Sequence, residues 1–208
     1  MKYRVLMGTL AFLSIGSLKA QEQEQSEEKS LYVKGNALFL PIGIVNLGIE
    51  KQISPKYTLQ GDVFISPWKS FAGHELQFYS VSAEGRYYFK EAFKHWYIGA
   101  NISVAAYRAA KWNYWNDNVS QKADGEYIVN SNLYQKGYSV MLGVTGGYQF
   151  QLSERWNLDL YATIGTSQSF YKGYDRTTGR RYDDAEKFNK SGEIIPYRGG
   201  VMISYKFK

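Results

Sequence analysis

The sequence predicts an all-β protein, an eight-stranded antiparallel up-and-down transmembrane β-barrel. Three observations carry that reading. Eight stretches alternate apolar and polar residues, and nearly every charge within them takes the polar side. Each runs for roughly eleven residues, long enough at a barrel's tilt to cross the hydrocarbon of a bilayer. Three tight connections are followed at once by an aromatic residue, Tyr57, Trp96 and Trp156, which sets three rings at one depth as a periplasmic interfacial girdle requires.

The elements follow in order. Residues 1–20 read as an export signal: a basic start at Lys2 and Arg4, an apolar run from Val5 to Leu18, and Ala20 before cleavage. That run is too short to span as a helix. Residues 21–29, all Gln, Glu, Ser and Lys, form a disordered periplasmic leader, since nothing in them can be buried. The barrel occupies 30–208. Its first strand covers 31–40 and meets Pro41, which cannot donate to a ladder. The second covers 42–53, and Ser54-Pro55-Lys56 is a tight turn. The third covers 57–66, a loop 67–77 follows, and the fourth covers 78–89. After a short connection comes the fifth, 96–111. There Trp96, Ile98, Ala100, Ile102, Val104 and Ala106 share one parity and Tyr97, Gly99, Asn101, Ser103 and Ala105 the other. Successive side chains of a strand point to opposite faces, so the segment has one greasy wall and one small, polar wall. A long polar segment, 113–136, separates it from the sixth strand, 138–152. Ser153-Glu154-Arg155 turns into the seventh, 156–171. A second long segment, 173–193, precedes the eighth, 196–207. Short turns at one end and long loops at the other place both termini in the periplasm and the long loops outside.

Composition bounds the alternatives. The chain has 208 residues, enough for one domain. Mean hydropathy is negative, as expected when only alternate residues face lipid. Aromatics reach 17%, with 19 Tyr and 5 Trp, which suits rings with a polar tip at headgroup depth. No cysteine is present, which leaves neither a lipidation site nor a disulfide framework. The formal charge is +6, but three basic residues and no acid lie in the first twenty, so the remainder carries only +3. No basic cluster marks a nucleic-acid surface.

Parity assigns the charges in the strands. Lys34, Glu50, Asp62, Glu84, Arg86, Asp159, Arg198 and Lys206 all take the face opposite the aliphatic set of their own strand. Eight strands leave an interior just wide enough for side chains. Buried charge survives only when paired, so the eight are expected to form a lumen polar network, a plug of ion pairs. The alternative is a narrow pore. Lys51 is the exception, near the periplasmic end where its ammonium can snorkel to the interface. Inward glycines (Gly48, Gly99, Gly143, Gly147, Gly165) give room for bulky neighbours.

Catalytic sets are poorly supported. His74 and Glu75 stand near Ser66 and Ser70, and a hydroxyl, an imidazole and a carboxylate are the parts of a nucleophilic triad. Their spacing is no motif, and a polar loop histidine is the plainer reading. His95 sits beside Trp96 as an interfacial residue. Asp175, Asp183, Asp184 and Glu186 lack the twelve-residue calcium pattern. Arg176, Arg180, Arg181 and Lys187 interleave with them, so a solvated mixed-charge loop is the favoured reading, its cations also suited to lipopolysaccharide phosphates. No cofactor and no metal site is expected.

Lys34-Gly35-Asn36-Ala37-Leu38 with Asn46-Leu47-Gly48-Ile49-Glu50, Glu84-Gly85-Arg86-Tyr87-Tyr88-Phe89, and Gly147-Tyr148-Gln149-Phe150 through Ser153-Glu154-Arg155-Trp156-Asn157-Leu158 resemble a family of small Bacteroidota outer-membrane barrels of unassigned function, of OmpA and OmpX type in architecture. Asp159 stands where members often carry Glu. The resemblance covers most of the chain and implies an outer-membrane barrel, with some relatives accompanying surface fimbria or adhesion systems. It supplies no catalytic residue. The ending Tyr205-Lys206-Phe207-Lys208 resembles the aromatic terminus read by barrel-assembly machinery.

The expected function is therefore non-enzymatic: a multi-pass barrel of the cell outer membrane, in contact with lipids including lipopolysaccharide, displaying loops to a surface or fimbrial protein partner. Tyr114, Trp115, Tyr127, Tyr134, Tyr174 and Tyr182 are the expected contact rings, because aromatic-rich polar loops make large contacts at low entropic cost. The enzymatic alternative is an outer-leaflet hydrolase or acyltransferase for lipid A or phospholipid, built on His74. A soluble calycin-like barrel would need the two faces reversed.

Overall fold

The computed structural model describes residues 29–121, 125, 127–183 and 187–208. The export signal and nearly all of the leader lie outside them, as do Asp184 and Glu186.

Eight strands close into an antiparallel barrel in chain order. They are β1 (Leu31–Asn36), β2 (Val45–Gln52), β3 (Tyr57–Phe71), β4 (His74–Tyr88), β5 (His95–Ala109), β8 (Leu133–Gln151), β9 (Trp156–Asp175) and β10 (Asn189–Lys206). Between β5 and β8 a separate hairpin pairs β6 (Val119–Gln121) with β7 (Tyr127–Val129). Closure is made by β1 on β10, from Tyr32↔Lys206 to Asn36↔Met202. Every neighbouring pair is antiparallel. The expected eight-stranded up-and-down barrel is what the chain forms.

Strand lengths depart from expectation in a systematic way. The two strands read as 31–40 and 42–53 are shorter, because Pro41 sits in a 3-10 turn, Leu40–Ile42, which Gly43 ends in a left-handed conformation. The others are longer, except β5, which covers 15 residues against the expected 96–111. Residues 67–77 are not a loop: β3 and β4 continue pairing to Trp68↔Leu76 and Phe71↔His74 around a two-residue turn. Ala72 and Gly73 there have φ of 47° and 83°, the paired positive φ that matches strand twist in a tight hairpin. Pro67 is tolerated because β2 has ended by Val45↔Ile65, leaving one side of β3 unpaired. β8, β9 and β10 likewise reach into the segments expected to be loops.

A bulge in β10 changes which side chains reach the lumen. Its register shifts between Pro196 and Arg198, where Pro196 opposes Ile164 and Arg198 opposes Thr163. The extra residue, Tyr197, turns inward with Arg198 and donates its hydroxyl to Asn101 Oδ1 at 2.8 Å, so two successive side chains enter the lumen.

The barrel is polar inside and apolar outside. Leu47, Ile49, Leu59, Val81, Ile102, Val104, Leu142, Val144 and Ile164 are each about half exposed on the outer wall, from 49% to 57%. Lys34, Glu50, Gln60, Glu84, Arg86, Gln149 and Asp159 are at 0–1% inside it. A protein in water with that distribution would have inverted its hydrophobic driving force.

Candidate functional site

The lumen has two storeys, legible from single strands. Going up β3 from the short-turn end, the inward residues are Thr58, Gln60, Asp62, Phe64 and Ser66; going down β4 they are Leu76, Phe78, Ser80, Ser82, Glu84, Arg86 and Tyr88. Charge fills the lower storey and apolar side chains the upper.

The lower storey gathers seven of the eight expected lumen charges. Lys34 Nζ donates to Glu50 at 2.7 Å, to Asp159 at 2.5 Å and to Gln60 at 3.1 Å. Arg86 reaches Glu50 at 3.2 Å, Asp159 at 2.8 Å and Glu84 at 2.6 Å. Arg198 bridges Glu84, at 2.5 Å, and Asp62. Neutral donors take the remaining carboxylate lone pairs: Thr58 on Glu50, Tyr97 on Asp159 at 2.7 Å, and Thr145 on Glu84 at 2.7 Å. Such dense pairing is what lets seven charges sit out of water. Lys206 lies apart, half-buried at the lower mouth beside Ser30, Gln52 and Glu91. Lys51 faces outward and is exposed, as its parity requires.

Tyr97 spans the lumen because β8 presents Gly147 opposite it; a Cβ at Gly147 would collide with the ring. Gly143 yields in the same way to Tyr197, whose hydroxyl would lie 2.8 Å from that Cβ. Arg86 stacks over the Tyr97 ring at 4.4 Å, a desolvated cation–π contact.

The lower mouth is closed by a feature the alternation does not signal. The connection 89–94 folds across it, burying Ala92 and Phe93 at 4% each. Phe93 lies 4.3 Å from Tyr32, ring to ring, and holds φ at 67°. A left-handed bulky residue is costly and persists only where packing over-determines it.

The upper storey encloses a cavity of about 380 Å³, lined by Phe64, Phe78, Leu76, Met141, Ile44 and Phe39 among others, with Arg198, Tyr161 and Tyr197 at its floor. Sequence reading passed over it. The signal was present, since Phe64, Phe78 and Met141 break the polar set of the inward parity.

Rings band the outer wall at two heights. The expected girdle residues Tyr57, Trp96 and Trp156 are exposed at 54%, 62% and 47%. Each meets a partner that sequence reading omitted: Tyr57 meets Tyr87 at 5.1 Å, Trp96 meets Tyr148 at 5.1 Å, and Trp156 meets Tyr205 at 4.9 Å. Higher on the wall Tyr79, Ala106, Tyr138 and Phe170 are aligned across four strands, with Tyr138 stacked on Phe170 at 5.2 Å.

The loop rings divide. Trp115 is 46% exposed and Tyr127 69%. The other four expected contact residues are covered in part or in full by neighbouring side chains. Tyr134 is buried under Arg108, 4.3 Å from the ring, and stacks with Tyr174 at 5.6 Å. Tyr114 and Tyr182 share a hydroxyl contact at 2.9 Å, with Tyr182 lying against Gly173. Burial and the Tyr114 hydroxyl push the Tyr182 phenol up. Burial also raises Asp183, but the Gly173 N–H and the Arg181 guanidinium outweigh it and hold that carboxyl below its ordinary range.

The parts of the imagined triad are dispersed. Ser66 donates to the Leu76 carbonyl at 2.6 Å, Glu75 pairs with Arg108 at 2.8 Å, and the His74 ring stacks on Trp115 at 4.4 Å. Among the described residues no group of acidic, histidine or cysteine side chains is arranged to hold a metal ion.

No curated protein and no solved structure matches the chain. A family model does, over residues 8–207, and its description is "Protein of unknown function (DUF3575)". Nearly the whole chain is covered, through the last strand, and the chain belongs to that family.

Proposed function

We propose that this protein is a non-enzymatic integral barrel of the outer membrane, held in lipid that includes lipopolysaccharide, which presents its long loops to a surface or fimbrial protein partner. The observation that carries the reading is the apolar outer wall between two aromatic bands. On β5 and β8 the bands are Trp96 with Tyr148 and Ala106 with Tyr138. Ten residues at ~3.3 Å each, tilted ~40°, rise about 25 Å, the height of the apolar band of membrane barrels. An exposed belt of that extent in water would be an aggregation site.

The filled lower storey and the Phe93 closure support a solid anchor over a pore. No contact favours a hydrolase or acyltransferase centred on His74, whose ring faces Trp115 and not a nucleophile. The partner-facing surface narrows to Trp115 and Tyr127, the two of the six expected contact rings that are exposed.

The test is a mild-detergent purification of the tagged protein from outer membranes, with mass spectrometry of what accompanies it, for the wild type and for Trp115→Ala with Tyr127→Ala. A stoichiometric protein partner with the wild type, lost with the double variant, is expected. Recovery in the soluble periplasmic fraction removes the membrane reading, and recovery alone removes the partner.

A further inference from the structure

We infer that the upper lumen is a binding site for an uncharged single-chain amphiphile, an alkyl body ending in a hydroxyl, ester or amide. Room is the first argument. At about 380 Å³ the cavity falls within the ~300–1,000 Å³ of small-molecule pockets. Allowing each methylene about the ~30 Å³ of a liquid water, it takes a chain on the order of a dozen carbons.

Chemistry is the second. The wall is apolar, formed by Phe64, Phe78, Leu76 and Met141, while the floor is the top of the ion network. That network holds three cations, Lys34, Arg86 and Arg198, and four carboxylates, Glu50, Asp62, Glu84 and Asp159. Its formal charge is −1 and Arg198 is already matched by Asp62 and Glu84, so a fatty carboxylate or a phosphate would add an unmatched buried negative charge. Arg198, at the floor, keeps a buried Nε–H with no hydrogen-bond partner among the described residues. An uncharged acceptor at the end of an alkyl chain meets the Arg198 guanidinium at the floor without adding charge.

Access is the third. β1 and β2 have 6 and 8 residues against 15 to 20 in the other barrel strands, so the wall is low on that side. The connection between them carries Leu38, Leu40 and Ile42, exposed at 57%, 65% and 40%. Phe39, Ile42 and Ile44 of the same stretch line the cavity. Val45, where β2 begins, pairs with Ile65, which pairs with Tyr79 of the upper aromatic band. The apolar threshold therefore stands at the height of that band. This entry route rests on the membrane reading, whereas the cavity itself does not.

The test uses the full barrel in lipid nanodiscs with 1-dodecanol bearing a terminal diazirine, illumination, and residue mapping by mass spectrometry. Adjacent residues on one strand face opposite sides, so parity separates the lumen from the lipid. Saturable labelling of Phe64, Phe78 and Met141, at least tenfold reduced by excess unlabelled dodecanol, is expected. Val63, Tyr79 and Leu142 should take label without saturation. Ser80→Phe, which fills the cavity, should lower the inward labels at least tenfold and leave the outward ones. Ser103→Leu serves the same purpose if the first variant loses its heat-modifiable migration on gels. Outward labels without inward ones overturn the site and leave the membrane reading standing. Inward labels without outward ones do the reverse. The matching diazirine dodecanoate at pH 8 should label the inward residues at least tenfold less, and equal labelling overturns the assignment of an uncharged head.

Discussion

The two storeys of the lumen are built from the same strands and solve opposite problems. Below, each cation touches two or three carboxylates, and every carboxylate accepts from more than one donor. Above, Phe64, Phe78 and Met141 leave space between them. A densely paired polar network is rigid because losing a member leaves its partners under-satisfied in low dielectric. An apolar cavity has no such penalty and tolerates exchange of what fills it. Two or three residues along one strand separate an intolerant region from a permissive one, as between Glu84 and Ser80 of β4.

The sharpest way to break that contrast is Arg86→Met. It takes one cation from Glu50, Glu84 and Asp159 at once, leaving four buried carboxylates to two cations, and should cost ~3–5 kcal/mol, read as a lowered urea midpoint in detergent micelles. A loss below ~1 kcal/mol would mean the network is slack. Next is a glycine pair on β8. Gly147→Ala drives a methyl into the Tyr97 ring, whereas nothing lies within 4 Å of a Cβ at Gly146, which faces outward. The first should cost ~1–3 kcal/mol by overpacking, and Gly146→Ala should leave the midpoint unchanged. In the upper storey Ser80→Phe should cost less than ~1 kcal/mol, since cavity filling is commonly neutral or stabilising. A large loss there would erase the distinction between the storeys.

The smallest effect concerns the loop over β9. The Asp183 carboxyl, held below the ordinary range, anchors the loop by accepting from the Gly173 N–H. A depressed folded-state pKa contributes stability above the unfolded value, lost as pH falls through the folded one. The anchor should therefore persist down through ~3.9, the free aspartate value, and release only in stronger acid. The amide shift of Gly173 followed against pH reads this directly, and release at about pH 5, above the free value, would contradict it.

Much of the architecture was legible because lipid-type and lumen-type positions alternate with period two. Lys34, Glu50 and Asp159 could be assigned to one face with no knowledge of their partners. Which carboxylate each cation meets was not legible, since barrel stagger brings Lys34 to Asp159 across 125 positions of chain. The strand extensions were missed where alternation lapses, at Pro67 and in 133–137 and 172–175, because outside the belt nothing forces one side of a strand to be apolar. Phe93 was missed for another reason: a ring in a connecting segment with positive φ has no periodic context. The loop rings Tyr134 and Tyr174 read as contact residues by composition, yet opposed strand positions, Tyr134↔Tyr174, stack them on each other.

The two aromatic bands have a mechanical consequence. In the bilayer proposed above, rings at both interfaces would act as stops and set the height of the barrel. Beyond Phe170, β9 continues through Asp175, five residues or on the order of 15 Å of further strand at ~3.3 Å each. Paired with β8 up to Leu133↔Asp175, that extension would act in such a bilayer as a stilt beneath the β5–β8 connection that carries Trp115 and Tyr127. Inserting or removing two residues in each of two paired extensions would lengthen or shorten the support by ~7 Å along the strands, changing its reach without touching the apolar outer wall.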